Sequence, residues 1–436
     1  MTIHTRAGAL GALAYLAACS GPAWAQEAPT PDEQAEIDRL RQQAEDELMG
    51  DVAPDADEGE RLRRYAQSDA DETDTLYQQL LDSWSAFSNR LNAFNPRITV
   101  IGDSLGRLSA SSAELVENGN NLDDRFSLRE VELDMRADID PYAKGVLILA
   151  AGEEAPGEYT FDIEEGYITL ETLPFGFRAQ IGRFRQPFGR INKLHGHDLP
   201  QSTEPYIITD LFGEEGFDEN GVLVSWLAPW IPLTLTAELL NGENQGVLAG
   251  GNSDDPAWLG RAEYFLSIND SGTLYAVGGA SFLFGYNDSP NPVDAPGAPH
   301  HETQLWGGDL LLKYQPNQFF SIVAQAEVFS LKKEVAGGKE HAFGGYALFQ
   351  VQPAQRWYLG VRYDYSNYYE GTEDSNQWAL GAWVSFYTTE FLRFRLGYEH
   401  RERPSTNGGD GDLDTIFFQI TFVFGAHPVE PFWFNR

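Results

Sequence analysis

Residues 130–139 read EVELDMRADI, and this stretch decides the fold. Charged and apolar side chains alternate along it with a period of two. In a β-strand that period places all the apolar side chains on one face and all the charged ones on the other. The same alternation recurs in 318–331 and 391–401. A polar face this charged, repeated on so many strands, does not suit a dry core, so we expect it to face a wet lumen while the apolar face meets lipid.

Outward from this stretch, the period of two continues from Asn95 almost to the end of the chain. We predict sixteen strands, at about 96–108, 124–139, 142–151, 158–172, 175–185, 219–228, 232–241, 256–268, 272–286, 303–315, 318–331, 341–352, 356–369, 375–387, 391–401 and 413–424. Short turns alternate with long loops rich in Gly, Asp, Asn and Pro, as in an outer-membrane barrel. Aromatic residues near the strand ends are expected to form interfacial girdles: Trp258, Tyr264, Trp306, Tyr314, Trp357 and Trp378. The fold class is therefore all-β, a transmembrane antiparallel β-barrel of about sixteen strands preceded by a short helical periplasmic segment.

The first residues resemble a secretory signal, with a small-x-small cleavage site at Ala23-Trp24-Ala25. Leu16-Ala17-Ala18-Cys19 allows a second interpretation, a lipobox that would leave Cys19 as a lipidated N-terminus. Both interpretations export the protein from a bacterial cytoplasm. We predict a signal peptide at 1–25, an acidic, partly helical periplasmic segment at 26–94 and the barrel at 95–436.

Composition narrows the function. The chain has 66 acidic and 30 basic residues, a formal net charge of −36, which disfavours nucleic acid as a partner. We find no nucleophile elbow, cysteine nucleophile or convincing Ser/His/Asp set, so no enzyme is predicted. A barrel of sixteen strands leaves an aqueous channel, whereas one of eight strands is filled by its own side chains.

The third external connection, residues 186–218, is the longest. Basic residues flank its start (Arg183, Arg185, Arg190 and Lys193) and acidic residues its end (Glu214, Glu215, Asp218 and Glu219). If the loop folds into the barrel, these groups would create a transverse field at a constriction; otherwise they are ordinary solvated loop charges. Further lumen candidates are Glu130, Glu132, Asp134, Arg393 and Arg395. Glu165 falls on the apolar face of its strand, which predicts a bulge or a different register there.

A possible metal site lies within this loop, at His195-Gly196-His197-Asp198. An H-x-H pair with an adjacent carboxylate offers ligands for zinc or copper. His300 and His301 would join it only if the two loops meet. Loop histidines are also common as plain polar residues. Apart from such a zinc ion, no cofactor is expected.

The stretch from Gly182 to Arg190, GRFRQPFGR, resembles the GxFxxPFG stretch of the phosphate-selective porin family. The segment 94–100, FNPRITV, together with the His-x-His of the third loop, resembles a group of outer-membrane proteins labelled either porins or metal-regulated receptors. The resemblance implies an outer-membrane barrel in residues 94–432 and, by analogy with porins, a homotrimer. Phosphate selectivity is not carried over, because the lysines are few and scattered.

These observations predict a porin of the bacterial outer membrane, in contact with its lipid. Small hydrophilic solutes or ions would diffuse passively through its charged lumen, with a weak preference for cations. The alternative is an outer-membrane receptor or uptake protein for zinc or another ligand, which would use the loop histidines. A structural or adhesive barrel would need a blocked lumen.

Overall fold

The computed structural model describes residues 96–111, 116–117, 120–121, 124–155, 157–249, 255–287, 301–404 and 410–425. The predicted signal peptide, the lipobox and the acidic segment lie outside these residues, as does His300. They therefore stay predictions.

Sixteen long strands form the barrel, as the alternation predicted. They are β1 Arg97–Ser111, β2 Phe126–Asp138, β3 Ala143–Ala155, β4 Glu158–Leu170, β5 Phe177–Arg185, β6 Asp218–Leu227, β7 Leu233–Leu240, β8 Ala257–Ser267, β9 Leu274–Asn287, β10 His301–Asn317, β11 Phe320–Val335, β12 Gly338–Ala354, β13 Trp357–Ser366, β14 Gln377–Thr389, β15 Leu392–Pro404 and β16 Asp410–Gly425. Each strand pairs with its neighbours in the chain, and β1 pairs antiparallel with β16 to close the ring. Closure leaves no sheet edge unpaired, which a membrane-spanning sheet requires.

The connections largely follow the predicted alternation. Short turns join β2 to β3 and every second pair after it, at what we call the short-turn rim. Most connections at the opposite, long-loop rim are longer, and the longest is 186–217. Two connections there, 156–157 and 336–337, are as short as turns. In these two turns Gly157 and Gly337 have φ of 79° and 96°, which suits glycine in a tight hairpin.

The outer face of the barrel is apolar. On β15, Leu396 and Tyr398 are exposed outward, whereas Arg395 and Glu399 on either side of them face inward and are buried. Of the predicted girdle residues, Trp258 and Trp306 are exposed towards the long-loop rim. Tyr264, Tyr314 and Trp357 are exposed towards the short-turn rim, and Trp378 is half-buried.

The inner face differs from the prediction over one part of the ring. Instead of a wholly charged surface, the wall from β8 to β12 presents a buried apolar patch: Leu259, Leu283, Leu305, Leu311, Val323, Phe329, Leu331, Ala342 and Leu348. The expectation of a uniformly wet lumen is wrong here. Side chains of the connection 186–217 pack against this patch and cover it. Within the described residues, no helix has the length and apolar character to cross a membrane.

Candidate functional site

The connection 186–217, which we call L3, contacts the inner wall of the barrel far from where it starts. Its Arg190 and Ile191 amides donate to the Glu327 carboxylate on β11, at 3.0 and 2.8 Å. Further along, the Leu199 carbonyl accepts from Arg395 on β15, at 2.6 Å. L3 leaves the wall at the end of β5. From β5, β11 lies six strands away in one direction round the ring, and β15 lies six strands away in the other.

One part of L3 is held by apolar packing. A short helix, α1 (Tyr206–Phe212), follows Pro205 and ends at Gly213, whose φ is 94°. Its Ile207, Ile208, Leu211 and Phe212 are all buried in the apolar cluster.

Phe188 completes this contact from the start of L3. It is fully buried and stacks on Phe329 of β11, with ring centroids 5.8 Å apart. It also meets Phe212 edge to face, with a centroid separation of 6.0 Å. A Cβ at position 307 would lie 2.8 Å from the Phe188 ring, so Gly307 makes the room that this ring occupies.

Another part of L3 is held by arginines of the wall that reach its main chain. Arg393 donates to the His197 carbonyl at 2.6 Å, and Arg129 to the Ser202 carbonyl at 2.9 Å. Arg362 donates to two carbonyls, those of Thr203 at 2.7 Å and Glu204 at 2.8 Å. These carbonyls lie outside any strand, so without such donors their desolvation would be costly. The predicted lumen residues Arg393 and Arg395 do face inward, and both are buried against L3.

Each of the three arginines at the start of L3 lies beside a carboxylate. Arg183 pairs with Asp218 at 2.5 Å. Arg185 lies 3.9 Å from Glu164, and Arg190 is 3.0 Å from Glu263. Asp134 is buried and pairs with Arg136, also on β2. The Glu219 carboxylate accepts hydrogen bonds from the amides of Gly242 and Asn244. Glu214 and Glu215 are exposed and line the lumen cavity.

The two loop histidines lie among carboxylates of the wall. His195 Nδ1 is 3.1 Å from Glu132 Oε1 and 2.9 Å from Glu164 Oε2, and its Nε2 is 2.7 Å from Glu165 Oε1. His197 Nδ1 is 3.0 Å from the same Glu132 oxygen and 3.7 Å from Glu130 Oε1. The two imidazole rings are nearly parallel, with centroids 5.8 Å apart.

A β-bulge places two of these carboxylates. Ile148 pairs with Glu165, but the next residue, Leu149, pairs with Ile163, so Glu164 is an extra residue in β4. Glu164 and Glu165 are consequently both buried on the inner side, although they are adjacent in sequence. The predicted bulge is confirmed.

The electrostatic surroundings favour positive charge at the imidazoles. Burial alone would lower the pKa of His195, but the Glu132 carboxylate raises it, and the resulting pKa lies well above the ordinary value. The pKa of His197 is also well above its ordinary value, because Glu132 and Asp198 outweigh the effect of burial. Asp198 Oδ1 is 3.6 Å from the Nε2 edge of His197, away from the nitrogen that faces Glu132. His301 begins β10 and belongs to neither His/Glu group among the described residues.

Above L3, towards the long-loop rim, lies a polar cavity of about 910 Å³. Among the described residues, its lining includes ten acidic side chains and five arginines. The acidic ones are Glu130, Glu153, Asp162, Glu164, Glu204, Asp210, Glu214, Glu215, Glu370 and Glu399.

Comparison with known proteins agrees with this architecture. No protein-family model matches the chain. An uncharacterized protein of Aquifex aeolicus (strain VF5) is 29% identical over 340 residues, 70% of each chain. Two solved structures are similar at a TM-score of 0.50, the outer membrane channel DcaP of Acinetobacter baumannii and an anion-selective porin from Comamonas acidovorans. They are 11% and 12% identical, and the match covers 76% of this chain and 96% and 100% of theirs. The chain has the fold of the outer-membrane porins.

Within this porin fold, sequence reasoning missed three kinds of residue. It did not identify Glu327, Arg129 or Arg362 as anchors of L3, because alternation gives only the side of the wall on which a residue lies. It also missed the apolar patch that receives α1. For the histidines it offered Asp198 as the carboxylate, whereas Glu132 and Glu164 approach them from β2 and β4. The break in alternation at Glu165 was the one sequence signal that pointed to this place.

Proposed function

We propose that the chain is a porin of the bacterial outer membrane, through which small hydrophilic solutes or ions diffuse passively. The closed barrel with its apolar outer face supports the membrane location, because no unpaired backbone edge would meet lipid. The predicted export signal and acidic periplasmic segment fit the same location. The homotrimer and the lack of enzymatic activity stay predictions.

The observation that carries the proposal is the attachment of L3 to the far wall. Glu327, Arg362 and Arg395 hold this loop by its main chain, and α1 packs on the apolar patch. A loop held across the lumen would narrow the passage to a polar gap instead of leaving the full bore of the barrel open. Solute size would then be selected at L3.

The charge of the cavity supports a weak preference for cations. Acidic side chains outnumber arginines ten to five in the lining that the structure describes. Fixed negative charge in a narrow aqueous passage raises the local concentration of cations and lowers that of anions. The individual ion pairs across L3 weaken this field without cancelling the acidic excess.

Single-channel recording of the purified full chain in planar lipid bilayers tests the proposal. We expect discrete conductance steps and a reversal potential displaced towards that of the cation in a KCl gradient. The variant Glu214→Gln/Glu215→Gln should reduce this displacement, because both side chains line the cavity. Glu158→Gln is the matched control, since Glu158 is exposed at the same rim but lies outside the cavity lining. Absence of conductance steps would refute the channel, and anion selectivity would refute the cation preference alone.

A further inference from the structure

We propose that Glu132, Glu164, His195 and His197 bind one divalent transition-metal ion, with zinc as the best fit, and that this ion clamps L3 to the barrel wall. The site itself stands on local geometry. Its effect on permeation rests on the proposed channel function.

The first argument is that two groups of potential ligand atoms share Glu132: one contains Glu164 and His195, and the other contains Glu130 and His197. His195 Nδ1 lies 3.1 Å from Glu132 Oε1 and 2.9 Å from Glu164 Oε2, and His197 Nδ1 lies 3.0 Å from the same Glu132 oxygen. Nitrogen and oxygen ligands placed about 2.1 Å from a tetrahedral ion lie about 3.4 Å from one another. These three separations are close to those of a ligand set. His197 and Glu164 belong to different groups, so an ion shared by all four residues would draw these two towards each other.

The second argument is that these atoms have no hydrogen-bond partner outside their own cluster. Among the described residues, Glu132 Oε1, Glu164 Oε2, His195 Nδ1 and His197 Nδ1 are all buried side-chain atoms, and each faces only other atoms of this cluster. Glu132, His195 and His197 are each at least nine-tenths buried. Where the Nδ1 atoms carry no proton, these atoms repel one another through their lone pairs, and a shared cation in place of the protons removes that cost.

The third argument is that a carboxylate orients the His195 imidazole by contacting the ring nitrogen that points away from the proposed ion. Glu165 Oε1 lies 2.7 Å from His195 Nε2, within hydrogen-bond distance. If Nε2 carries the proton and donates a hydrogen bond to this carboxylate, Nδ1 keeps a lone pair, which is directed at Glu132 and Glu164. A carboxylate that orients a histidine in this way is the usual second layer of a zinc site. The bulge in β4 supplies both parts, a ligand in Glu164 and an orienting group in Glu165.

The ligand types select the metal. Two imidazoles and two carboxylates suit zinc and its neighbours in the first transition row better than calcium or magnesium, which prefer all-oxygen sites. Five carboxylates lie within 3.7 Å of an imidazole nitrogen: Glu130, Glu132, Glu164, Glu165 and Asp198. This negative surrounding favours a dication.

The positions of the ligands give the ion its role. Two belong to L3 and the other two to β2 and β4, so one ion would cross-link the loop to the wall. Of the four side chains only Glu164 lines the described cavity, and Glu132, His195 and His197 are buried outside its lining. We therefore assign the ion to holding the loop and not to the cargo of an uptake receptor.

Isothermal titration calorimetry with Zn²⁺ on the full chain in detergent, stripped with EDTA, tests the site. We expect one ion per chain, and loss of this site in His195→Ala/His197→Ala. Glu165→Gln should keep the ligands but weaken binding by about 10–100-fold, as loss of an orienting carboxylate does. His400→Ala is the matched control, since His400 pairs with Asp414 on the outer face of β15 and should leave binding unchanged.

Folding of each variant is checked by circular dichroism and by heat-modifiable migration on gels. If wild type takes up no more Zn²⁺ than the folded double variant, the metal site is refuted and the cluster is held by protons instead. Equal loss in the control would also refute it.

The clamp is tested separately by channel recording. EDTA should increase the open-channel noise of wild type and have no effect on the double variant. If calorimetry shows the site but the chain conducts no current, the metal site stands and the channel function fails. If the chain conducts and EDTA leaves the noise unchanged, the clamp is refuted.

Discussion

L3 is fastened to the barrel in two different ways, and the two halves of its attachment depend on different residues. Around Phe188 and α1, side chains of the loop pack into an apolar patch of the wall. Between 197 and 204, side chains of the wall reach the main chain of the loop. The identity of the loop residues therefore matters in the apolar half. In the polar half the wall residues matter, because any residue supplies a carbonyl.

The largest effect is expected for Phe188→Ala. The ring is fully buried between β11 and α1, and removal of such a ring costs about 3–5 kcal/mol. Hydrogen exchange followed by mass spectrometry should show faster exchange of the α1 amides at unchanged barrel content. The control is Phe175→Ala, whose ring is exposed at the short-turn rim. Unchanged exchange in α1 would mean that the apolar patch does not hold the loop.

An acidic side chain in the apolar half gives the next effect, which depends on pH. Burial raises the pKa of Asp210 to about 6, although Gln377 donates to its carboxylate. The docked loop thus holds this proton more tightly than the undocked loop, whose carboxyl titrates near 4. The free energy of docking is therefore most favourable below pH 4, and it becomes less favourable by at most about 3 kcal/mol as the pH rises to 6. Exchange of the α1 amides across this range should follow that curve, and Asp210→Asn should flatten it. An unchanged slope in the variant would assign the dependence to another group.

A smaller effect is expected for Arg395→Met on the wall. The change removes the donor to the Leu199 carbonyl and to Gln419, at about 1.5–3 kcal/mol for a charged hydrogen-bonding group. Exchange should rise for amides in 197–204 but not around Phe188. Arg178→Met is the matched control, because Arg178 is exposed on β5. A rise throughout L3 would show that the two halves are coupled.

The smallest effect is expected for Ser202→Ala, a loop side chain in the polar half. It loses one hydrogen bond to Gln419 at 3.1 Å, worth about 0.5–1.5 kcal/mol, while its carbonyl keeps Arg129. Exchange in 197–204 should change little. An effect as large as that of Arg395→Met would break the contrast between loop side chains and wall side chains.

The sequence predicted more of the wall than of the loop. Alternation from Asn95 onward gave the strand count. Within 130–139, 318–331 and 391–401 it also gave the side on which Glu132, Glu327 and Arg395 lie, because a strand imposes a fixed period on its side chains. The break at Glu165 even gave the bulge. Alternation shows that an arginine points inward, but not whether its guanidinium group is solvated or donates to a carbonyl. Arg395 donates to the Leu199 carbonyl. Nor could it pair His195 with Glu132 and Glu164, since those contacts join distant segments of the chain.

The anchors of L3 also set an order of events in assembly. L3 follows β5, but Glu327, Arg362 and Arg395 belong to β11, β13 and β15, which come much later in the chain. The loop can reach its final position only after most of the ring has been laid down, because contacts between distant segments must wait for both partners. Until then its apolar helix has no patch to cover it. The bore would therefore stay wider until these later strands are in place, and it would narrow to its final size as they join the ring.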